Sequence, residues 1–281
     1  MSSDDPAFSW DAAEKDLMAG IDTSVPVSAR IWNYWMSGKD HYPVDRAAGD
    51  QFAAIFPGIF DLARASRYFI ARVVRYLVGE MGIRQFLDIG TGLPSHDNTH
   101  EVAQRVAPEC RVVYVDNDPL VLAHARALLT SNPKGATDYI DADLNDPSAI
   151  LKTATAKLDF TQPVAIMLMS ILGHIGSPAE QADHAALSIV DQLKAALPAD
   201  GYLALCDATN TVPANNEAIR QYNESGASPY HLRSVQQIGR FFGGLELVDP
   251  GFVPIQQWRP DHGPFDASAE VNAWGGVAKK L

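Results

Sequence analysis

The run Phe86-Leu87-Asp88-Ile89-Gly90-Thr91-Gly92-Leu93-Pro94-Ser95 reads as a buried strand that breaks into glycines at its carboxyl end. Open α/β sheets bind ligands at that end of their strands. Gly90 and Gly92 let the backbone turn tightly and approach a ligand, and a helix expected to begin near Thr99 turns its free amide groups toward the same place. A GxG turn also suits a strand-to-helix connection that binds nothing, so the decision rests on the ends of the neighbouring strands.

Working outward, the next strand closes as Val112-Val113-Tyr114-Val115-Asp116-Asn117-Asp118-Pro119. Asp116 stands 24 residues on from Gly92, close to the spacing at which an acid grips ribose hydroxyls. Asp118, just before Pro119, reads as the cap of the following helix, which leaves Asp116 as the ligand group. A third acid, Asp143 in Asp141-Ala142-Asp143-Leu144, follows a weak strand around Tyr139 and suits the amino group of an adenine, or else a solvated turn. Three carboxylates at one sheet edge choose the ligand by charge. Asp88 repels a pyrophosphate, and Ser95 stands where a dinucleotide fingerprint has its third glycine. S-adenosylmethionine has no phosphate; its ammonium, sulfonium, ribose diol and adenine suit Asp88, Asp116 and Asp143.

Beyond Gly82 short apolar runs alternate with helical stretches, the pattern of βαβ units on a parallel sheet. The strands are Gln85 to Ile89, Arg111 to Val115, the weak one near Tyr139, Val164 to Met169, and Tyr202 to Cys206, with helices such as Leu120 to Leu129 and Gln181 to Leu197 between them. The ending differs: Leu245 to Val253 and Val271 to Lys279 are strand-like runs joined by a Pro/Gly-rich loop without a helix, which predicts an antiparallel pair. Before Gly82 the chain reads as helices. Pro26 suits a first helical position, with Ile31, Tyr34 and Trp35 on one face and Gly38 as the stop. A second helix starts at Pro43 and a third runs from Ile59 to Gly79. The expected organisation is a loose arm over residues 1–20, a helical lid over 21–82 and a ligand-binding α/β domain over 83–281.

Composition narrows the partners. Twenty-two basic against 34 acidic residues give a net charge of −12 over 281 residues, a sign that repels nucleic acid and anionic membranes. The longest apolar run, Val164 to Leu172, is about half of the roughly 20 residues a membrane helix needs. The start of the chain has neither a basic n-region nor an apolar h-region, so the expected location is cytoplasmic. Cys110 and Cys206 read as reduced and buried. His96 and His100 flank the glycine turn with no partner at metal-ligand spacing, so no metal is expected.

The acid-glycine run with Asp116 and Asp143 resembles class I methyltransferases. Together with Ala29-Arg30, Gly38-Lys39-Asp40, Gly244-Leu245-Glu246-Leu247-Val248 and Trp274-Gly275-Gly276-Val277, it is similar to a SAM-dependent methyltransferase family long catalogued as a domain of unknown function, over about residues 20 to 281. The resemblance implies a Rossmann-like, doubly wound, seven-stranded sheet of order 3-2-1-4-5-7-6 with strand 7 antiparallel. It implies a cofactor site at Asp88, Gly90, Thr91, Gly92, Asp116 and Asn117, continued by Asp143, Leu144 and Ser170, with S-adenosylhomocysteine as product. Such sequences often carry asparagine before the arginine of the third helix; this chain has Ser66 before Arg67.

Methyl transfer is an in-line displacement that depends on alignment and exclusion of water, so no covalent residue is required and none is assigned. Tyr34, Trp35 and Tyr42 offer aromatic faces to the sulfonium or the substrate, with plain packing as the alternative for Trp35. Arg67 either grips the methionyl carboxylate or forms an ordinary salt bridge. His174, in the loop after the fourth strand, either takes a proton from the acceptor or packs beneath the loop. The expected acceptor is a small molecule. An NAD(P)-dependent oxidoreductase is the rival enzyme, and a non-catalytic SAM-binding regulatory module is the rival from another class.

Overall fold

Strand β1 (Gln85–Ile89) is buried along its whole length, because helices cover both faces of the sheet to which it is central. The computed structural model describes residues 21–128, 131–176, 181–261 and 271–281; the arm expected over 1–20 lies outside the described residues. Three helices precede β1: α1 (Ser28–Trp35), α2 (Pro43–Ile55) and α3 (Ile59–Gly79). After it come α4 (Thr99–Val106), β2 (Arg111–Asp116), α5 (Pro119–Leu128), β3 (Ala136–Asp141), α6 (Pro147–Ala154), β4 (Ala165–Met169), α7 (Ala182–Ala196), β5 (Tyr202–Ala208) and α8 (Pro213–Tyr222). The chain ends with α9 (Val235–Gly239), β6 (Glu246–Leu247), β7 (Val253–Pro254) and β8 (Ala273–Lys279).

The sheet order is β3-β2-β1-β4-β5-β8-β6, with β7 also pairing β8. The first five strands are parallel, and β8 runs antiparallel to β5, β6 and β7. The expected order and the antiparallel last strand are both present, but the sheet has eight strands rather than seven. The run Leu245 to Val253 does not form one strand. It breaks at Asp249-Pro250-Gly251, where proline has no N–H for the ladder and Gly251 takes φ 92, leaving two short strands on the same edge of β8.

Side chains alternate across the sheet. Phe86, Val112, Tyr114, Met167 and Cys206 face α3 and the amino-terminal helices, whereas Leu87, Ile89, Val113, Ile166 and Leu205 face α6, α7 and α9. Both cysteines are free and buried. The first helix departs from its expected bounds. Val27 is extended and gives its N–H to Asp45 Oδ1 at 2.9 Å, so the helix begins at Ser28 rather than at Pro26. Ser37, not Gly38, takes the left-handed turn after it (φ 62); Gly38 lies so close to the Asn33 carboxamide that a Cβ there would overlap it.

A buried ion pair ties this region together. Arg30 Nε lies 3.0 Å from Asp45 Oδ2, and its other nitrogens donate to the carbonyls of Asp22 (3.0 Å) and Val25 (2.6 Å). Asp45 also accepts from the Tyr42 amide at 2.8 Å at the start of α2. The segment 22–27 is thereby held as a strap beside the sheet edge where β1 and β2 end.

Candidate active site

At the carboxyl edge of the parallel strands lies a cavity of about 670 Å³. Its wall brings together Asp88, Gly90, Thr91, Gly92, Asp116, Asn117, Asp143, Leu144, Ser170, Arg67 and His174. Tyr34 and Tyr42 are not in that wall. Tyr34 gives its hydroxyl to Asp50 and packs edge-on to His41 and Phe60. Tyr42 lies under the Arg30 guanidinium, 5.1 Å from its ring centre, against the small core of Leu93, Leu120 and Val121. Both are drawn away because their partners lie in the amino-terminal helical segment, the β1–α4 loop and α5. The aromatic residues of α1 that do line the cavity are Trp32 and Trp35.

The glycine turn is built as the sequence demands. Gly90 (φ 75) and Gly92 (φ 62) both occupy the left-handed region. A Cβ at Gly90 would overlap the Ile171 side chain, whereas one at Gly92 meets no atom within 4 Å, so Gly92 leaves space at the turn. The Gly92 amide donates to Asp116 Oδ2 at 2.9 Å and the Asp118 amide to Asp116 Oδ1 at 3.0 Å, which fixes the carboxylate across the turn. Asp118 caps α5 through the Leu120 amide at 2.8 Å. Thr91 hydrogen-bonds the Tyr139 hydroxyl (3.1 Å). Asp143 accepts from the Asn145 amide and side chain, both 2.8 Å, and from Asn117 Nδ2 at 3.3 Å.

The electrostatics favour a cation. Asp88 is buried and accepts one bond from Thr99 Oγ1 at 2.6 Å; burial pushes its pKa up to about 6, against the opposing pull of Thr99 and Arg67. Burial likewise raises Asp116. Arg67 donates from Nε to the His96 carbonyl at 2.8 Å and from one terminal nitrogen to Asn98 Oδ1 at 2.9 Å, so it braces the loop ahead of α4 while it lines the cavity. Ser66 Oγ and Asp118 Oδ2, both of cavity-lining residues, are buried without a hydrogen-bond partner. Anionic groups short of a cation, an open glycine turn and orphaned polar atoms fit S-adenosylmethionine, with its ammonium, diol and amine. Among the described residues there is no cluster of histidine, cysteine and acidic side chains that would hold a metal ion.

Sequence reading missed most of the far wall. It is formed by Trp35, Phe52, Ile59, Asn215, Ile219 and Tyr222, with Tyr230 beside His174. Tyr230 donates its hydroxyl to Asp207, whose pKa burial pushes up to about 6. His174 Nδ1 lies 3.0 Å from the Pro229 carbonyl; a carbonyl only accepts, so Nδ1 carries a proton. Burial lowers the His174 pKa from its ordinary 6.5.

A Rossmann-like sheet with an antiparallel last strand and an acid-lined glycine turn defines a SAM-dependent methyltransferase. The chain belongs to the S-adenosyl methyltransferase family whose model matches residues 14–281. A DUF574 family protein from Streptomyces avermitilis is 41% identical, with a TM-score of 0.87 over 92% of this chain and 99% of that one. A candidate methyltransferase from Thermobifida fusca is 38% identical, with a TM-score of 0.83 over 93% and 97%. A SAM-dependent methyltransferase from Anabaena variabilis, 16% identical over 75% of this chain and 84% of that one, shares the fold at a TM-score of 0.50. No curated protein matches the chain.

Proposed function

We propose that the chain methylates a small-molecule acceptor inside this cavity, with the cofactor at the carboxylate end and the acceptor against the far wall. One observation carries the reading: a single cavity joins Asp88, Asp116 and Asp143 to an apolar, aromatic wall. When bound, S-adenosylmethionine supplies an electrophilic methyl group on a sulfonium. Asp116 would accept from the ribose hydroxyls, Asp88 would face the ammonium, and Asp143 with Leu144 would take the adenine. Gly90, Thr91 and Gly92 allow close backbone approach, Asn117 steadies Asp143, and Ser170 borders the reacting end. Arg67 keeps N–H groups for the methionyl carboxylate. The amino-terminal helices act as the lid and, with the strap at 22–27, exclude water.

Burial lowers the His174 pKa and so favours the neutral ring, whose Nε2 would take the proton of a hydroxyl or amine nucleophile. Nε2 would hold the nucleophile's proton once the new bond to methyl forms and the S–CH3 bond breaks, with S-adenosylhomocysteine as the neutral leaving group. Tyr230 and the Pro229 carbonyl keep the ring in place.

Calorimetry and thermal melting of the purified chain with S-adenosylmethionine, S-adenosylhomocysteine and NADH test the reading. At 100 times the dissociation constant a ligand adds about 2.7 kcal/mol, a shift of several degrees. A shift with both sulfur ligands and none with NADH is expected. A shift with NADH alone would replace the methyltransferase reading by the oxidoreductase one.

A further inference from the structure

Asn215 sits in the first turn of α8 and in the cavity wall, flanked there by Phe52, Ile219 and Tyr222. It is only 1% exposed, and its Nδ2 has no hydrogen-bond partner. The helix does not need it as a cap, since the residue before α8 is Val212 and the next asparagine, Asn216, reaches back to the Asn210 carbonyl at 3.0 Å. Buried amide groups are nearly always paired, and one left unpaired carries its full desolvation penalty. An apolar residue would serve packing better at this position. The orphaned donor is explained by an acceptor atom that arrives with a ligand.

The surroundings specify the rest of that ligand. The residues that α1, α2 and α8 give to this end, Trp35, Phe52, Ile219 and Tyr222 among them, with Met36 just after α1, carry no charge apart from Arg30, whose nitrogens are taken by Asp45, Asp22 and Val25. A carboxylate, phosphate or ammonium would lose its hydration there without a counter-charge. Trp35 and Phe52 lie 4.9 Å apart at 52°, and Phe52 and Tyr222 lie 6.3 Å apart at 83°. Such tilted and edge-on walls match a further ring.

We propose that Asn215 is the acceptor-recognition residue of this site, donating through Nδ2 to an oxygen of an uncharged, largely apolar ring compound. The inference rests on the methyltransferase reading and deepens it: the acceptor class is a neutral cyclic molecule with a carbonyl or hydroxyl oxygen, not an amino acid, a sugar phosphate or a carboxylic acid.

The test uses the full chain saturated with S-adenosylhomocysteine and calorimetric titration with matched probes, 1-tetralone against tetralin and 1-indanone against indane, with 1-naphthoate as the charged control. The expected result is a preference of about tenfold for each ketone over its hydrocarbon, and weaker binding of the naphthoate. Asn215→Leu removes that preference, keeps the affinity for hydrocarbon and S-adenosylhomocysteine, and melts no lower than the parent because an unpaired donor has gone. Asn215→Ala, which removes the donor and adds no polar group, serves if the leucine variant does not fold and also loses the preference. Three outcomes overturn the proposal: a ketone preference that survives both variants, naphthoate binding as tight as the ketones, or no ketone binding to the loaded protein. Failure of S-adenosylhomocysteine to bind at the outset overturns the methyltransferase reading itself.

Discussion

The two ends of the cavity are built in opposite ways. The carboxylate end is made of backbone turns at the tips of β1 and β2 and the loop after β3, with Asp116 and Asp143 held by main-chain amides at 2.8 to 3.0 Å. The far end is made of helix faces from α1, α2, α3 and α8, apolar and aromatic, with isolated polar atoms such as Asn215 Nδ2. The first is set by strand geometry, so a fixed ligand can be held by a few residues at fixed places in a motif. The second is set by side-chain packing between helices, where one substitution reshapes the wall without disturbing the sheet. The contrast implies that a shared cofactor and a divergent acceptor are compatible in one fold.

The largest effect is expected at the ion pair that holds α1, α2 and the 22–27 strap together. Asp45→Ala leaves Arg30, 1% exposed, without its carboxylate, and removing one partner of a buried pair costs about 3–5 kcal/mol. The melting temperature should fall by about 10 °C, read by calorimetry. Within the cofactor end, Asp116→Ala should weaken S-adenosylhomocysteine about a hundredfold while the protein still folds, because two hydroxyl contacts to a charged group are worth about 1.5–3 kcal/mol each before rearrangement. A change at the far end should separate binding from rate. His174→Gln should lower kcat about a hundredfold, once an acceptor is in hand, with cofactor affinity unchanged.

The smallest effect is a pH dependence. Asp88 has its folded pKa raised to about 6 from 3.8, so between those values the folded protein holds a proton that the unfolded chain has lost. Its contribution to stability therefore declines as pH rises through that window and is flat above it. An ammonium ligand favours the ionised carboxylate, so cofactor affinity should rise from pH 5 to pH 7, by at most about tenfold per unit below 6, and level off. Asp88→Asn should flatten that profile.

This difference also decides what the sequence discloses. Asp88 and Asp116 stand at the carboxyl ends of strands and Gly90, Gly92 and Asp143 just beyond them, so their place at the sheet edge follows from the strands alone, and the structure does gather them there. The antiparallel ending was legible because the Pro/Gly-rich stretch between its two runs carries no helical pattern in sequence. The eighth strand was not, since a break at Asp249-Pro250-Gly251 looks in sequence like any loop. Tyr34 and Tyr42 lie in the same aromatic segment as Trp35, yet the rotation of α1 and the Asp45 hub send only Trp32 and Trp35 to the cavity. Asn215, Tyr222 and Tyr230 carry no motif; they reach the site through the packing of α8 on α2 and the Asp207 contact, which depend on residues distant in the chain.

A crystal structure of the chain with S-adenosylhomocysteine tests the division of the cavity most directly. The account predicts the ribose hydroxyls on Asp116, the ammonium toward Asp88 and the adenine beside Asp143 and Leu144, with the space next to Asn215 and Tyr222 left free. An adenine seated between Trp35 and Tyr222, with no contact to Asp116, would contradict it.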